Sequence, residues 1–415
     1  MIRTKRFSAA LGLLLAVAAC QNDTINRPFA NTPVDPLFER YVAMGNSITA
    51  GFQSGGILDS TQQQSYAVLL AHAMRSPFYS PLLRRPGCPP PYTNVFTGAR
   101  LTPTGFPPST STSCYLRALP SIPPPFISNT AVPGAKVLSL TQNIDTAAHS
   151  NSLTQFFLGG LTQAQAMARA HPTFVSLWIG NNDVLGAATA ANAGDTTQIT
   201  PTAAFQTQYD AIVSAIDSAN PDGAILIGVA NVTAIPYFSA GATYWAIKNK
   251  LALPDTFPTL FTVSNNCAPI ATGIPGARGD STLVPFPYGA VLLGAANAGA
   301  PRNLDCDDTV AAVLVPSELV RLSAAVTAYN AYIASAAAAH DWVYYNPNTA
   351  LDSLRTVATA VRPFPLIGQP CSANPFGTAF SCDAVHPSSA THRLIARKLR
   401  DAINAAYSTA IPPIP

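Results

Sequence analysis

Phe174, Val175, Leu177, Trp178 and Ile179 crowd one short run, Thr173 to Ile179, and leave it no polar face. A strand of that kind has to be covered on both sides, as in a parallel sheet sandwiched between helices. Tyr41 to Met44, Ala224 to Ala230 and Trp342 to Tyr345 are further short apolar runs, and Phe126-Ile127-Ser128 is a weaker one. Helical patterns lie between them. Tyr66 to Met74, Leu153 to Ala170 and Thr202 to Ala219 read as helices, the last with Phe205, Tyr209, Ile212, Val213 and Ile216 in phase. Pro316 to Ala339 and Ser388 to Tyr407 follow. Strands alternating with helices predict an α/β domain with a parallel sheet and right-handed crossovers. Working groups in such sheets sit at the carboxyl ends of the strands.

Two stretches interrupt the alternation, at about 76–125 and 236–312. The first is Pro-rich and the second is rich in Pro, Gly and Ala, so both read as long irregular insertions placed to wall a pocket. At 415 residues the chain is long enough for more than one domain. No linker divides it, so one domain over 38–407 with a tail at 408–415 is the expectation.

The beginning of the chain has another character. Arg3, Lys5 and Arg6 precede an apolar segment from Phe7 to Ala19, too short to span a bilayer, which ends in Ala18-Ala19-Cys20. That is the pattern of a secretory signal over 1–19. The ending resembles a bacterial lipoprotein cleavage site, with Cys20 as the acylated residue and 20–37 as a tether. The alternative is an ordinary signal cut near Ala19 that leaves Cys20 a lone thiol. The lipoprotein reading implies export and anchoring to the bacterial envelope, with an outer-membrane location expected because Gln21 follows Cys20.

Loss of the first 19 residues removes three of the 23 basic residues and no acidic one, leaving 20 against 20. A chain so balanced lacks the basic footprint that nucleic-acid binding needs. Cys88, Cys114, Cys267, Cys306, Cys371 and Cys382 are an even set, which in an exported chain points to three disulfides. Sequential pairing (88–114, 267–306, 371–382) is expected, because each bridge closes a loop within one Pro/Gly-rich segment. No CxxC spacing or nearby histidine cluster suggests a metal, and none is expected.

Three motifs carry chemistry. Met44-Gly45-Asn46-Ser47-Ile48-Thr49 puts a serine on a tight turn directly after the first strand. Trp178-Ile179-Gly180-Asn181-Asn182-Asp183 places a carboxamide, a neutral donor suited to a developing oxyanion, at the end of the strongest strand. Cys382-Asp383-Ala384-Val385-His386-Pro387 sets an acid three residues before a histidine. On one turn the carboxylate can fix the imidazole tautomer and leave the other ring nitrogen free to take a serine proton. His392 is the nearest rival base, but it lies inside the predicted helix without a comparable acid. A weaker element is Asn129-Thr130-Ala131-Val132-Pro133-Gly134-Ala135, where Gly134 permits close backbone approach.

Taken in order, these four blocks resemble the SGNH (GDSL-like) hydrolase family over most of 38–407, the two insertions excluded. The resemblance implies a three-layer α/β/α, flavodoxin-like fold. It also implies Ser47 as nucleophile, Asp383 and His386 as acid and base, and Gly134 and Asn182 as oxyanion donors beside the Ser47 N–H. The implied activity is hydrolysis of carboxylic esters (lipid, acetylated-sugar or aryl) by two-step acyl transfer, with no cofactor and a small-molecule or lipid ester as partner. One departure stands out: the family's first block usually reads Gly-Asp-Ser, and here it is Gly45-Asn46-Ser47. A non-catalytic surface lipoprotein binding glycan or lipid on the same scaffold is the alternative.

Overall fold

The computed structural model describes residues 32–415, apart from 115–116, 118–123, 143, 147–148, 151 and 252–255. The signal segment, Cys20 and the tether up to residue 31 lie outside the described residues.

Four strands form the central sheet: β1 (Tyr41–Gly45), β2 (Phe174–Trp178), β3 (Gly223–Ile227) and β4 (Val343–Tyr345). They pair in that order, all parallel, with Tyr41 opposite Phe174, Phe174 opposite Gly223 and Val343 opposite Ile225. A short segment continues the sheet at the free edge of β1. There Ala43 N–H donates to Ser128 O at 2.8 Å and Thr130 N–H to Ala43 O at 2.9 Å. With that segment second in chain order, the strands stand 2-1-3-4-5, the flavodoxin-like order the resemblance implied.

Period-two alternation divides the strands between two cores. Val42, Met44, Val175, Leu177, Ala224 and Leu226 face one side. Tyr41, Ala43, Phe174, Trp178, Ile225 and Ile227 face the other. The helices that cover them are, in chain order, α1 (Ser47–Ala50), α2 (Tyr66–Met74), α3 (Gln163–Arg169), α4 (Asn182–Thr189), α5 (Thr202–Ser218), α6 (Pro316–Ala339), α7 (Asn348–Arg355) and α8 (Ser389–Tyr407). The stripes of α5 (Phe205, Tyr209, Ile212, Ile216) and α6 (Leu322, Val326, Tyr329, Ile333) bury in the first core. Those of α2 (Tyr66, Leu70, Met74) and α8 (Ile395, Leu399, Ile403) bury in the second. The chain's last residues join this layer, with Ile411 and Ile414 each 3% exposed.

Three expectations are corrected. The helix read over Leu153 to Ala170 is two helices, Ser152–Leu158 and α3, because Gly159 and Gly160 take positive φ (63° and 88°) and break the chain between them. The stretch 236–312 is a folded unit rather than an irregular one. Its strand Phe238–Ala240 pairs with Leu283–Pro285, and Phe261–Val263 pairs with Arg302–Leu304. Helices Gly241–Lys248 and Phe286–Asn297 pack on a small core of Tyr244, Phe261, Val284 and Leu304. The described residues of both insertions leave the pocket described below unlined. The three disulfides join Cys88 to Cys114, Cys267 to Cys306 and Cys371 to Cys382.

Candidate active site

β1 ends at Gly45, whose φ of +153° and crowded surroundings suit a residue without a side chain. A Cβ there would meet Thr49 Oγ1 and Trp178 O, each at 2.5 Å. Both polar groups of Gly45 are gripped by one buried amide: its N–H donates to Gln163 Oε1 at 2.9 Å, and Gln163 Nε2 donates to its carbonyl at 2.8 Å. Asn46 follows as the cap of α1, its Oδ1 accepting from Ile48 N–H at 3.0 Å. That contact needs an oxygen and no charge, so the Asn46 departure keeps the cap. Ser47 is therefore the first residue of a helix that starts at the carboxyl edge of the sheet, and it is 7% exposed.

His386, 339 positions away in sequence, meets it. Ser47 Oγ and His386 Nε2 lie 2.9 Å apart, and His386 Nδ1 lies 2.9 Å from Asp383 Oδ2. The side chains of His386 and Asp383 are 16% and 11% exposed. The spacing of three works because Asp383 sits at the head of its turn. Its Oδ1 accepts from the backbone N–H groups of Val385 and His386, each at 2.9 Å, and from Ser381 Oγ at 3.1 Å. Its Oδ2 also accepts from Gly55 N–H at 2.6 Å. Burial by itself pushes this carboxyl up. Attraction to His386 and the hydrogen bonds from its ring and from the backbone outweigh burial and hold the group down at about 2, so it stays ionised. Phe52 packs against the imidazole, ring centroids 4.8 Å apart.

Asn182 opens α4 at the end of β2 and faces the same pocket as Ser47 and His386. Its Nδ2 donates to Ala135 O at 2.9 Å, which leaves the second N–H of the amide for another acceptor. Gly134, with φ +81°, is exposed in the turn next to Ala135. The structure thus brings Ser47, His386 and Asp383 into one hydrogen-bonded series and sets Asn182 beside it. Gly134 is tied in through its neighbour's carbonyl. Gln163 and Gly55 were not read from the sequence. Both act on backbone or carboxylate groups from far away in the chain, and neither belongs to a motif.

His392, the rival base, is elsewhere. It is fully buried in α8, with Nδ1 accepting from Tyr66 N–H at 3.3 Å. Burial, aided by repulsion from His386, lowers it from the ordinary 6.5 to about 3. Between those values the unfolded chain binds a proton that the folded one refuses, so stability present above pH 6.5 is lost as pH falls toward 3. Asp183 works in the opposite sense: burial raises it to about 6 against hydrogen bonds from Thr200 and Val137, and it favours the fold as acid is added. A comparison between two proteins cancels that effect. His392→Asn keeps an acceptor for Tyr66, and its stability gap to the wild type is expected to narrow by about 3 kcal/mol from pH 7 to pH 4 in urea unfolding. A gap independent of pH contradicts this.

The pocket beside Ser47 and His386 is walled by Ile48, Leu185, Val232, Ile235, Leu351 and Phe380, with Asp352 and Arg355 of α7 among its lining. No described residue of 76–125 or 236–312 lines it. Asn348 holds one wall together: its Oδ1 accepts from Asn231 N–H at 2.7 Å and its Nδ2 donates to Val229 O at 3.0 Å. Among the described residues no group of three or more His, Cys, Asp or Glu side chains is placed to hold a metal ion.

The family model described as GDSL-like Lipase/Acylhydrolase matches residues 41–399. No curated protein matches the chain. Similar solved structures include Axe2, an acetylxylan esterase from Geobacillus stearothermophilus, at 11% identity and a TM-score of 0.38, over 88% of this chain and 94% of that one. LAE5, an alpha/beta hydrolase from the metagenome of Lake Arreo, has 14% identity and a TM-score of 0.38, over 91% and 98%. An extracellular lipase from Streptomyces rimosus has 15% identity and a TM-score of 0.36, over 88% and 99%. Likenesses this distant carry nothing about substrate.

Proposed function

The chain belongs to the GDSL-like lipase/acylhydrolase family and is a carboxylic ester hydrolase, and from that premise we propose that Ser47, His386 and Asp383 are its catalytic triad and that its substrates carry an apolar acyl group larger than acetyl. The observation that carries the triad is the unbroken series Ser47 Oγ–His386 Nε2–His386 Nδ1–Asp383 Oδ2, with 2.9 Å at each hydrogen bond.

In the proposed mechanism, His386 Nε2 takes the Ser47 proton as Oγ attacks the ester carbonyl. Asp383 holds Nδ1–H and steadies the imidazolium. The oxyanion is received by the N–H of Ser47, the free N–H of Asn182 and the N–H of Gly134. His386 then returns the proton to the departing alcohol, leaving an acyl-serine. Water, deprotonated by the same nitrogen, attacks that ester and releases the acid.

The acyl preference rests on the wall of Leu185, Val232, Ile235 and Leu351 beside the nucleophile. A buried methylene is worth about 0.8 kcal/mol, or roughly fourfold in kcat/KM. On p-nitrophenyl esters, kcat/KM is expected to rise roughly fourfold per methylene from acetate to butyrate, measured with Ser47→Ala as the blank. A maximum at acetate, falling with every added carbon, contradicts the apolar-acyl reading and favours acetylated sugars. Nothing in the site favours a binding-only role over hydrolysis. Export and lipid attachment at Cys20 belong to the same proposal. Three disulfides support an oxidising compartment.

A further inference from the structure

We propose that Arg100, in the Pro-rich insertion, is a positioning residue for the acid of the triad, acting on Asp383 through the backbone turn at Ser54 and Gly55. The inference rests on the triad assignment above.

Arg100 closes the short strand Ala99–Arg100 and is 8% exposed. Its Nη1 donates to Gly55 O at 2.8 Å and to Pro90 O at 2.7 Å. Its guanidinium lies over the Tyr92 ring, 3.7 Å from the centroid. Tyr92 is tied to the same turn, its N–H donating to Ser54 O at 2.7 Å. Gly55 has φ +65°, and a Cβ on it would run into the Tyr92 ring. The turn is thus pressed and bonded from the insertion's side.

On its other side the turn meets the acid. Gly55 N–H donates to Asp383 Oδ2 at 2.6 Å, and Oδ2 is the oxygen that faces His386 Nδ1. Ser54 N–H donates to Ser381 Oγ at 2.8 Å, and that hydroxyl donates to Asp383 Oδ1 at 3.1 Å. Cys382 N–H donates to Ser54 Oγ at 3.1 Å. One residue, Gly55, therefore has a cation on its carbonyl and the triad carboxylate on its N–H, the two groups belonging to adjacent peptide units. The peptide whose N–H faces Asp383 has Ser54 O as its carbonyl, and that oxygen accepts from Tyr92 N–H, the residue on whose ring Arg100 lies. Arg100 on the Gly55 carbonyl and Tyr92 on the Ser54 carbonyl hold the turn from two sides, which fixes where the Gly55 N–H stands, and hence where Oδ2 stands relative to the imidazole. Small misplacements in such a series are costly in rate even when they originate far from the bond that breaks. The insertion, none of whose described residues walls the pocket, instead supplies a brace to the acid.

The test is a double-mutant cycle on the full chain with a soluble activated ester. Arg100→Met is expected to lower kcat about tenfold with KM moved less than twofold. In an Asp383→Ala background the same change is expected to cost less than twofold, because the group it positions is gone. Arg100→Lys, which retains a cationic donor, is expected to stay within about threefold of wild-type kcat. Should the methionine variant fail to fold, the lysine variant carries the same comparison, with its smaller loss confined to the protein that has Asp383. An equal kcat loss in both backgrounds, or a loss confined to KM, overturns the positioning role. An Asp383→Ala variant with wild-type kcat sinks the triad assignment itself, which is a different failure from additivity of Arg100.

Discussion

Replacing Ser47 by alanine is expected to lower kcat on an activated ester by roughly 10⁴- to 10⁶-fold while the protein stays folded. The reason is local. The Ser47 hydroxyl lies 2.9 Å from His386 Nε2, and without it no oxygen is in place to attack. The surroundings of the residue do not depend on that hydroxyl. Gln163 still clamps Gly45, and Asn46 still caps α1 through Ile48. The structural cost is one hydrogen bond, about 1 kcal/mol. Kinetics and thermal unfolding on the same preparation separate the two effects. A variant that retains more than a hundredth of wild-type kcat contradicts the role given to Ser47.

Asp383→Asn is expected to be nearly as damaging, by roughly 10³- to 10⁴-fold in kcat, and to destabilise the protein as well. Five donors converge on this carboxylate: three on Oδ1 (Val385 N–H, His386 N–H and Ser381 Oγ) and two on Oδ2 (Gly55 N–H and His386 Nδ1). An asparagine offers one acceptor oxygen in place of two. Whichever way it turns, its NH₂ confronts groups that also donate, and turned toward His386 it drives the imidazole to the wrong tautomer. Leaving such donors unsatisfied costs about 1–3 kcal/mol each. Steady-state kinetics and urea unfolding check both halves. A variant within tenfold of wild-type kcat contradicts the account of the acid.

The parts of this molecule legible in the sequence are those written in local order. Trp178 and its neighbours declare a doubly covered strand because every second side chain has an apolar layer to meet. Asp383 and His386 declare a turn because three residues suffice to bring their side chains together. The cysteine pairing was legible because each bridge closes a short loop. What escaped depends on distant contacts. The unit at 236–312 has no sustained period, and its core gathers Tyr244, Phe261, Val284 and Leu304 from separate pieces. Gly159 and Gly160 were present as a breaking signal inside a helical pattern, but Leu158 and Leu161 on either side carry the apolar pattern across them. Gln163 is a buried amide among alanines, a hint of a polar task, yet its partner Gly45 lies 118 residues away. Arg100 reaches Asp383 only through the backbone turn at Ser54 and Gly55, and no side-chain pattern records that.

The central claim is that distant parts of the chain converge to make one serine nucleophilic. A fluorophosphonate reports on this directly, because it forms a bond only with an activated hydroxyl. The expected result is a single adduct by intact mass, mapped by peptide sequencing to Ser47, lost in His386→Ala and lost on unfolding. Ester hydrolysis that persists with Ser47 unmodified, or an adduct mapped to any other residue, contradicts it.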